Sequence, residues 1–373
     1  MLDRFAQDDT MGNTSEAARF RLQKLEAMPE RTELARIMGL DGDIRIDFLH
    51  SDALANNPLG DPATRPVVVY LPKGYDPEGS RRYPALYVLH GYTGDVAALI
   101  SSRPWETNVL QWADRLIRER KMPEALVVLV DGFTRLGGSQ YVDSIHNGDY
   151  ATYTVRDVVG HVDAQYRTIA AEGGRAVLGK SSGGFGAMHL VLERPGIFAA
   201  FASHSGDSYF RYAHFPAFAT VHRMLEAHDF DAKGFVESFE RKHKRSAAEY
   251  TTMEMLAYTA AYSPRSATAF DLDLPFDRAT GELRDDVFAR WLALDPAERI
   301  ASHRDELARL RLRYVDCGRR DEYNLDVGAR VVAARIRQLG LPVRHEEFDD
   351  DHRNVGYRYA VSMPALAEVL DKE

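Results

Sequence analysis

Short apolar runs recur along most of the chain, and each one ends at turn residues. Between them lie longer stretches in which apolar residues return at helical spacing. Together with more polar strand-like segments, these runs are residues 44–49, 67–71, 85–89, 126–130, 176–178, 198–204, 312–315 and 343–348. The helical stretches are 106–120, 154–166, a segment that starts near 184, 325–338, and a segment that starts near 363. This alternation predicts an α/β fold in which helices cover both faces of a mostly parallel sheet.

Two parts of the chain do not follow this alternation. Residues 14–28 place apolar side chains at helical spacing behind a Ser15 cap, which predicts an N-terminal helix. Residues 206–304 lack apolar strand runs, are largely helical and are rich in aromatic side chains. We interpret them as a helical cap inserted into the sheet domain. The predicted division is a helical arm at 1–40, an α/β core at 41–205 and 305–373, and the cap at 206–304.

Charge and composition narrow the class of partner. The 373 residues include 47 basic and 56 acidic side chains, so a net charge of -9 offers no basic surface for phosphate backbones or anionic membranes. The aliphatic run 125–130 is far shorter than the roughly 20 residues of a membrane helix. The single cysteine, Cys317, suits a reducing compartment, and the acidic N-terminus is unlike a signal peptide. We therefore expect a cytoplasmic protein without nucleic-acid or membrane partners. The sequence is compatible with a homo-oligomer.

The strongest chemical signal is the sequence Gly179-Lys180-Ser181-Ser182-Gly183, which follows a predicted strand and precedes a helix. A G-x-S-x-G motif in this context predicts a tight turn that exposes the serine hydroxyl above the edge of the sheet. The N-terminus of the following helix directs partial positive charge toward an oxyanion that develops there. The motif therefore predicts Ser181 as a nucleophile.

An overlapping pattern indicates different chemistry. Residues 174–181 match G-x-x-x-x-G-K-S, the phosphate-binding loop of NTPases, and the strand that ends at Asp131 resembles one that holds a magnesium-binding acid. A phosphate loop needs flexible backbone between its glycines, whereas 175–178 has the pattern of the strand itself. We therefore favour the nucleophile turn, and we expect no metal and no organic cofactor. An NTPase would instead need nucleotide binding that depends on magnesium and on Lys180.

A serine nucleophile needs a general base and an acid that orients this base. His352 follows the last predicted strand, where the base belongs in such a fold, whereas His345 lies within that strand. Asp321 lies in the loop after the preceding strand, where the orienting carboxylate is expected. The competing acids are Glu322, which is adjacent, Asp316, which is predicted to be on the strand, and Asp207, which is more distant. We therefore predict Asp321, with Glu322 as the close alternative.

The oxyanion of acyl transfer needs two backbone N–H donors. Ser182 supplies one of them because it directly follows the nucleophile. The turn His90-Gly91-Tyr92, which follows an early strand, supplies the other. We place this second donor at Tyr92, with Gly91 as the alternative.

Several motifs together resemble one family of α/β-hydrolases. They are Leu71 to Tyr75, Tyr83 to Gly91, Val162 to Arg167, the Ser181 turn, Arg194 to Phe198 and Asp316 to Asp321. In these places the chain is similar to the esterases that include S-formylglutathione hydrolase, feruloyl esterases, enterochelin esterase and mycolyltransferases. The resemblance implies an α/β-hydrolase fold and hydrolysis of a carboxylic ester or thioester. It also implies Ser181, Asp321 and His352 as the catalytic residues.

The sequence indicates the small-molecule ester substrate less closely than it indicates the reaction. Lys180, the Asp-rich stretch before His352 and the long insertion all depart from the commoner pattern of this family. The candidates for substrate contact are Gly91, Trp105, Lys180, Tyr209 and Phe210, with Tyr141 as a further lining residue. An aromatic or medium-chain acyl ester is expected if the cap aromatics line the pocket, although the same residues are equally suited to form the core of the cap. An acyltransferase with the same triad and a noncatalytic binding protein of the same fold are the alternatives.

Overall fold

The computed structural model describes residues 31–101 and 104–371. Continuous apolar runs form most of its strands because helices cover both faces of the sheet. The strands are β1 (Asp43–His50), β2 (Thr64–Leu71), β3 (Ala85–Leu89), β4 (Leu126–Val130), β5 (Asp143–Ser144), β6 (Gly148–Asp149), β7 (Arg175–Lys180), β8 (Ala200–His204), β9 (Leu312–Gly318) and β10 (Arg344–Phe348). The helix predicted at 14–28 lies outside the described residues.

The main sheet has the order β1-β2-β4-β3-β7-β8-β9-β10. β2 pairs antiparallel with both β1 and β4, and all other neighbours in this sheet are parallel. Leu89 lies opposite Gly179 between β3 and β7, and Lys180 lies opposite His204 between β7 and β8. The carboxyl ends of the parallel strands therefore share one edge, where ligands bind in open α/β sheets.

The helices begin and end close to the predicted positions, with a few differences. They are α1 (Arg31–Ile37), α2 (Val96–Leu99), α3 (Val109–Arg118), α4 (Tyr150–Thr152), α5 (Val159–Gln165), α6 (Ser182–Glu193), α7 (Phe210–Ala213), α8 (Phe218–Glu226), α9 (Ala232–Arg241), α10 (Ala247–Tyr262), α11 (Asp285–Leu292), α12 (Pro296–Arg299), α13 (Arg304–Arg309), α14 (Leu325–Gln338) and α15 (Tyr359–Val369). A π-helical turn over Tyr153–Val158 joins α4 to α5. The last helix begins before the predicted start near 363 and contains Pro364, a residue that usually lies in the first turn of a helix.

Successive side chains of the strands face two separate cores. Tyr87 and Val128 point to the face covered by α6 and α14, whereas Leu86 and Leu129 point to the face covered by α3 and α15. This alternation follows from the two-residue period of a strand and gives the sheet a rigid support on both sides. Among the described residues, no helix combines the length and the apolar character needed to cross a membrane.

Residues 205–311 between β8 and β9, which we call the helical segment, form α7 to α13 and add no strand to the main sheet. The predicted cap, 206–304, falls within this segment. Its apolar side chains form a third core that also includes Phe185 of α6. The Phe185 ring packs against Phe210 and Tyr262, with centroids 5.9 and 5.8 Å apart. The helical segment is therefore attached to the helix that begins beside Ser181.

Candidate active site

Ser181 occupies the tight turn between β7 and α6. Its backbone has φ 59° and ψ -126°, which an L-residue adopts only where the surrounding structure holds it. Glycine is required on both sides of the turn. A Cβ on Gly179 would lie 2.5 Å from the backbone of Gly183, and a Cβ on Gly183 would overlap the Leu89 carbonyl oxygen. The turn therefore presents a half-buried serine at the carboxyl edge of the sheet.

The same geometry excludes a phosphate-binding loop at this position. The residues between Gly174 and Gly179 belong to strand β7 and pair with β3 and β8, so no flexible loop connects the two glycines. Asp131, the candidate magnesium ligand, instead lies 3.1 Å from the Arg65 guanidinium. The match to the NTPase pattern is therefore coincidental.

The loops after β9 and β10 bring an aspartate and a histidine to Ser181. His352 Nε2 lies 3.1 Å from Ser181 Oγ, and His352 Nδ1 lies 2.8 Å from Asp321 Oδ2. The other oxygen of Asp321 accepts backbone N–H groups from Tyr323 at 3.0 Å and Leu325 at 3.4 Å. An ionised carboxylate only accepts hydrogen bonds, so Nδ1 carries the hydrogen and Nε2 is free to accept from the serine.

Asp321 is the acid that contacts the imidazole. Burial alone would raise the pKa of Asp321, but the hydrogen bond from His352 and the backbone N–H groups hold this pKa below its usual value. Glu322, the alternative, accepts the backbone N–H of His352 at 3.0 Å and lies 3.4 Å from Arg353. Glu322 therefore positions the loop, and its carboxylate does not face the ring.

The turn after β3 borders the nucleophile, as predicted for an oxyanion loop. A Cβ on Gly91 would lie 3.3 Å from Ser181 Cβ and 3.9 Å from Ser181 Oγ, so the backbone that leads to Tyr92 lies against the serine. His90 fixes this turn, because its Nε2 accepts a backbone N–H from the turn after β4 at 2.8 Å and its Nδ1 lies 2.9 Å from the Gly91 oxygen. Ser182 begins α6, where the helix dipole is positive.

The remaining predicted contact residues are dispersed. The Trp105 side chain is fully exposed on the turn between α2 and α3, so the structure does not bring it to the site. Phe210 is fully buried in the core of the helical segment, which corrects its predicted contact with substrate. Tyr209 is half-buried and stacks on Tyr212 with ring centroids 5.1 Å apart. Lys180 is half-buried near the acids of the two catalytic loops, and burial lowers its pKa.

Tyr141 supports the turn after β3. It is 1% exposed, and its hydroxyl donates to the backbone oxygen of His90 at 2.9 Å. Tyr141 and its neighbour Gln140 have φ values of 54° and 56°. Two successive side-chain-bearing residues in the left-handed region store strain, which is common close to functional sites.

A cluster of acidic and phenolic side chains lies beside Ser182, and the sequence offers only Asp207 among these acids and phenols as a candidate, as a more distant alternative to Asp321. Buried Asp207 accepts hydrogen bonds on Oδ2 from Gln140 Nε2 at 3.2 Å and from Ser182 Oγ at 3.3 Å. The Tyr258 hydroxyl lies 3.2 Å from this oxygen and 3.0 Å from Glu254 Oε1. Burial raises the pKa of Asp207 to about 6, and burial together with the charge of Asp207 raises the pKa of Glu254 to about 7. These residues come from distant parts of the chain, so no spacing reveals them.

A second Ser-His-Asp arrangement lies inside the protein. His204 contacts Ser362 Oγ through Nε2 at 2.8 Å and Asp316 Oδ1 through Nδ1 at 2.7 Å. Asp316 also accepts from Arg358 Nε at 2.8 Å. Ser362, His204 and Asp316 are at most 1% exposed, so their contacts can only join β8, β9 and α15. In the described part of the chain, no three histidine, cysteine or acidic side chains are grouped to hold a metal ion.

Comparison with protein families gives one match that spans most of the chain. The family model "Esterase: Putative esterase" matches residues 62–361, which include the Ser181 turn and both loops that reach it. An esterase of Mycobacterium tuberculosis is 32% identical over 146 residues, or 39% of this chain and 30% of that protein. An endo-1,4-beta-xylanase/feruloyl esterase of Xylanibacter ruminicola is 28% identical over 144 residues, or 38% of this chain and 19% of that protein. The chain therefore spans less than a third of the length of these relatives.

Solved structures show the same fold at low sequence identity. A ferulic acid esterase superposes with a TM-score of 0.54 at 18% identity, over 88% of this chain and 97% of that chain. An S-formylglutathione hydrolase from Agrobacterium tumefaciens superposes with a TM-score of 0.57 at 15% identity, over 89% of this chain and 97% of that chain. The predicted α/β-hydrolase fold is confirmed.

Proposed function

The chain belongs to the Esterase family, and we propose that it hydrolyses a carboxylic ester through an acyl-enzyme on Ser181. The observation that carries this proposal is the line of contacts from Ser181 Oγ through His352 to Asp321, at 3.1 and 2.8 Å. A serine, a base and an orienting acid in this geometry are the parts that nucleophilic acyl transfer needs.

Acylation begins when Ser181 Oγ attacks the carbonyl carbon of the ester and His352 Nε2 takes its proton. Asp321 stabilises the imidazolium that forms. The carbonyl oxygen becomes an oxyanion, which accepts hydrogen bonds from the backbone N–H groups of Ser182 and Tyr92. Loss of one such donor raises the activation free energy by about 3–4 kcal/mol. When the carbon–oxygen bond to the alcohol breaks, His352 returns its proton to the leaving oxygen, and the acyl group remains on Ser181.

Deacylation repeats the sequence with water as the nucleophile. His352 Nε2 removes a proton from water as the water oxygen attacks the acyl carbon, and the proton then passes to Ser181 Oγ as the carboxylic acid leaves. An alcohol acceptor in place of water would give acyl transfer with the same residues.

The substrate surface in this proposal lies between the catalytic loops and the helical segment. The Tyr323 ring packs against His352 with centroids 4.8 Å apart and is 41% exposed, so it offers an aromatic surface beside the base. From the helical segment, α10 contributes Tyr258 and Glu254 close to Ser182. An ester with an apolar acyl group would pack against these rings.

The experiment that tests the proposal compares Ser181 with Ser362, the serine of the buried Ser-His-Asp arrangement. We expect Ser181→Ala to lower kcat/KM for p-nitrophenyl acetate, butyrate and octanoate on the order of 10⁴-fold or more, because it removes the nucleophile. The matched control Ser362→Ala removes the same atoms from the buried arrangement and should retain activity within a few fold while lowering the melting temperature. An inactive wild type, or an active Ser181→Ala, would refute the mechanism.

A further inference from the structure

Two carboxyl groups lie beside the nucleophile, and the basic group whose charge lowers the pKa of one of them, Asp207, is His352. Asp207 and Glu254 share the phenol oxygen of Tyr258, at 3.2 and 3.0 Å. In the described part of the chain, neither carboxyl forms an ion pair with lysine or arginine, and neither pKa is lowered by one. Because one phenol hydrogen cannot serve both groups, Tyr258 donates a hydrogen bond to one carboxyl and accepts one from the other, which is then protonated, when no ligand is present. Burying such groups costs free energy, so their retention points to a function.

The pair lies close to the reacting atoms. Asp207 Oδ2 is 3.3 Å from the hydroxyl of Ser182, whose backbone N–H is a proposed oxyanion donor. On the other side, Tyr323 packs against His352, and its phenol is close enough to Glu254 for their charges to interact. A substrate held by Ser181 would therefore extend toward these carboxyl groups.

Gln140 gives an independent indication that a ligand belongs here. Its side chain is directed at the pair, because Nε2 donates to Asp207 Oδ2 at 3.2 Å. Gln140 is 1% exposed, yet its Oε1 has no hydrogen-bond partner among the described residues. The three donors that reach Asp207 all bind Oδ2, which leaves Oδ1 without a donor from this part of the chain. Gln140 Oε1 is therefore a buried acceptor without a donor in the described part of the chain, which costs about 1–3 kcal/mol.

We propose that Asp207, Glu254 and Gln140 form a subsite that binds an ammonium group carried by the ester substrate. A cation would compensate the two carboxyl groups and, where it carries N–H bonds, satisfy the free amide oxygen. The Tyr258 and Tyr92 rings, with centroids 6.3 Å apart, add aromatic surface that favours organic cations. This inference rests on the proposed esterase function, because the ammonium group is part of the ester that the triad would cleave.

Two pairs of esters, each differing only in charge, test the subsite on either side of the scissile bond. Acetylthiocholine and its neutral analogue 3,3-dimethylbutyl thioacetate differ in the leaving group. The esters p-nitrophenyl 4-(trimethylammonio)butyrate and p-nitrophenyl 5,5-dimethylhexanoate differ in the acyl group. In at least one pair, the kcat/KM of the wild type for the cationic ester should exceed that for the neutral ester by about tenfold or more. We expect Glu254→Gln and Asp207→Asn to bring this ratio close to one, whereas Glu226→Gln, an equal loss of charge on the exposed end of α8, should leave it unchanged.

A measurement on the wild type tests the subsite even if the variants fail to fold. Choline should inhibit hydrolysis of p-nitrophenyl acetate at a concentration at least about tenfold lower than its neutral analogue 3,3-dimethylbutanol. Equal rates within both ester pairs, or a ratio that survives Glu254→Gln, would overturn the subsite while activity on p-nitrophenyl acetate upholds the esterase. An enzyme that hydrolyses none of these esters would overturn both proposals.

Discussion

At the residue scale, access to solvent separates two arrangements that have the same contacts. His352 and His204 each lie between a serine and an aspartate at hydrogen-bond distance. Ser181 stands on a strained turn at the sheet edge, whereas Ser362 is fully buried within α15. The strained backbone of Ser181 costs free energy, which is common at functional sites, whereas the buried arrangement joins β8, β9 and α15.

Replacement of the two adjacent acids in the β9 loop should separate their roles. Asp321→Asn removes the charge that stabilises the imidazolium and offers an amide to Nδ1, so we expect kcat/KM for p-nitrophenyl butyrate to fall by about 10³–10⁴-fold. Glu322→Gln retains an oxygen that can accept the backbone N–H of His352, and we expect a change of no more than about threefold. Similar losses in both variants would show that the triad does not depend on Asp321 in particular.

The sequence predicts the candidate triad better than it predicts the surroundings. Ser181 can be identified because the glycines of its turn are forced by close backbone contacts, and Asp321 and His352 because they follow the last two strands. Asp207 and Glu254 belong to no motif, since they meet only after α10 packs beside the nucleophile turn. Phe210 shows the opposite error, because an aromatic side chain of the helical segment can belong to the core of that segment.

At the element scale, the predictable parts are those with a repeating pattern. Central strands such as β3 and β4 are visible because they are apolar on both faces, and α14 because its apolar residues face one core. The hairpin of β5 and β6 has two residues in each strand, too few to show a period. The sheet order is also absent from the local pattern, since the antiparallel pairing of β2 depends on contacts far apart along the chain.

Two glycines in helical context should respond oppositely to the same substitution. Gly183→Ala places a methyl group on the carbonyl oxygen at the end of β3, so we expect a loss of several kcal/mol of unfolding free energy and of activity. Gly160→Ala, on the exposed side of α5 with nothing within 4 Å, should gain about 0.5–1 kcal/mol from helix propensity. Urea denaturation of both variants measures these differences, and equal midpoints would contradict the close contact at Gly183.

At the scale of the whole molecule, the helical segment closes on itself and is fixed to the sheet domain. Asp295, near its end, accepts the backbone N–H groups of Tyr209 and Phe210, near its beginning, at 2.8 and 2.7 Å. Burial raises the pKa of Asp295 to about 6, although these N–H groups oppose the rise. The aromatic contacts of Phe185 then connect the segment to α6, so disturbance of the segment should reach the nucleophile turn.

This continuity predicts that the helical segment and the sheet domain unfold together. Trp291 is fully buried in the segment and donates to Ser263 Oγ at 2.8 Å, and it becomes the single tryptophan when Trp105 and Trp112 are replaced by phenylalanine. In urea, the Trp291 fluorescence midpoint should coincide with the midpoint of far-ultraviolet circular dichroism. The segment shares its aromatic core with Phe185 of α6, so unfolding of the segment alone would expose this side chain. A fluorescence transition at lower urea, with much of the dichroism retained, would show instead that the segment is an independent unit that can open over Ser181 while the sheet stays folded.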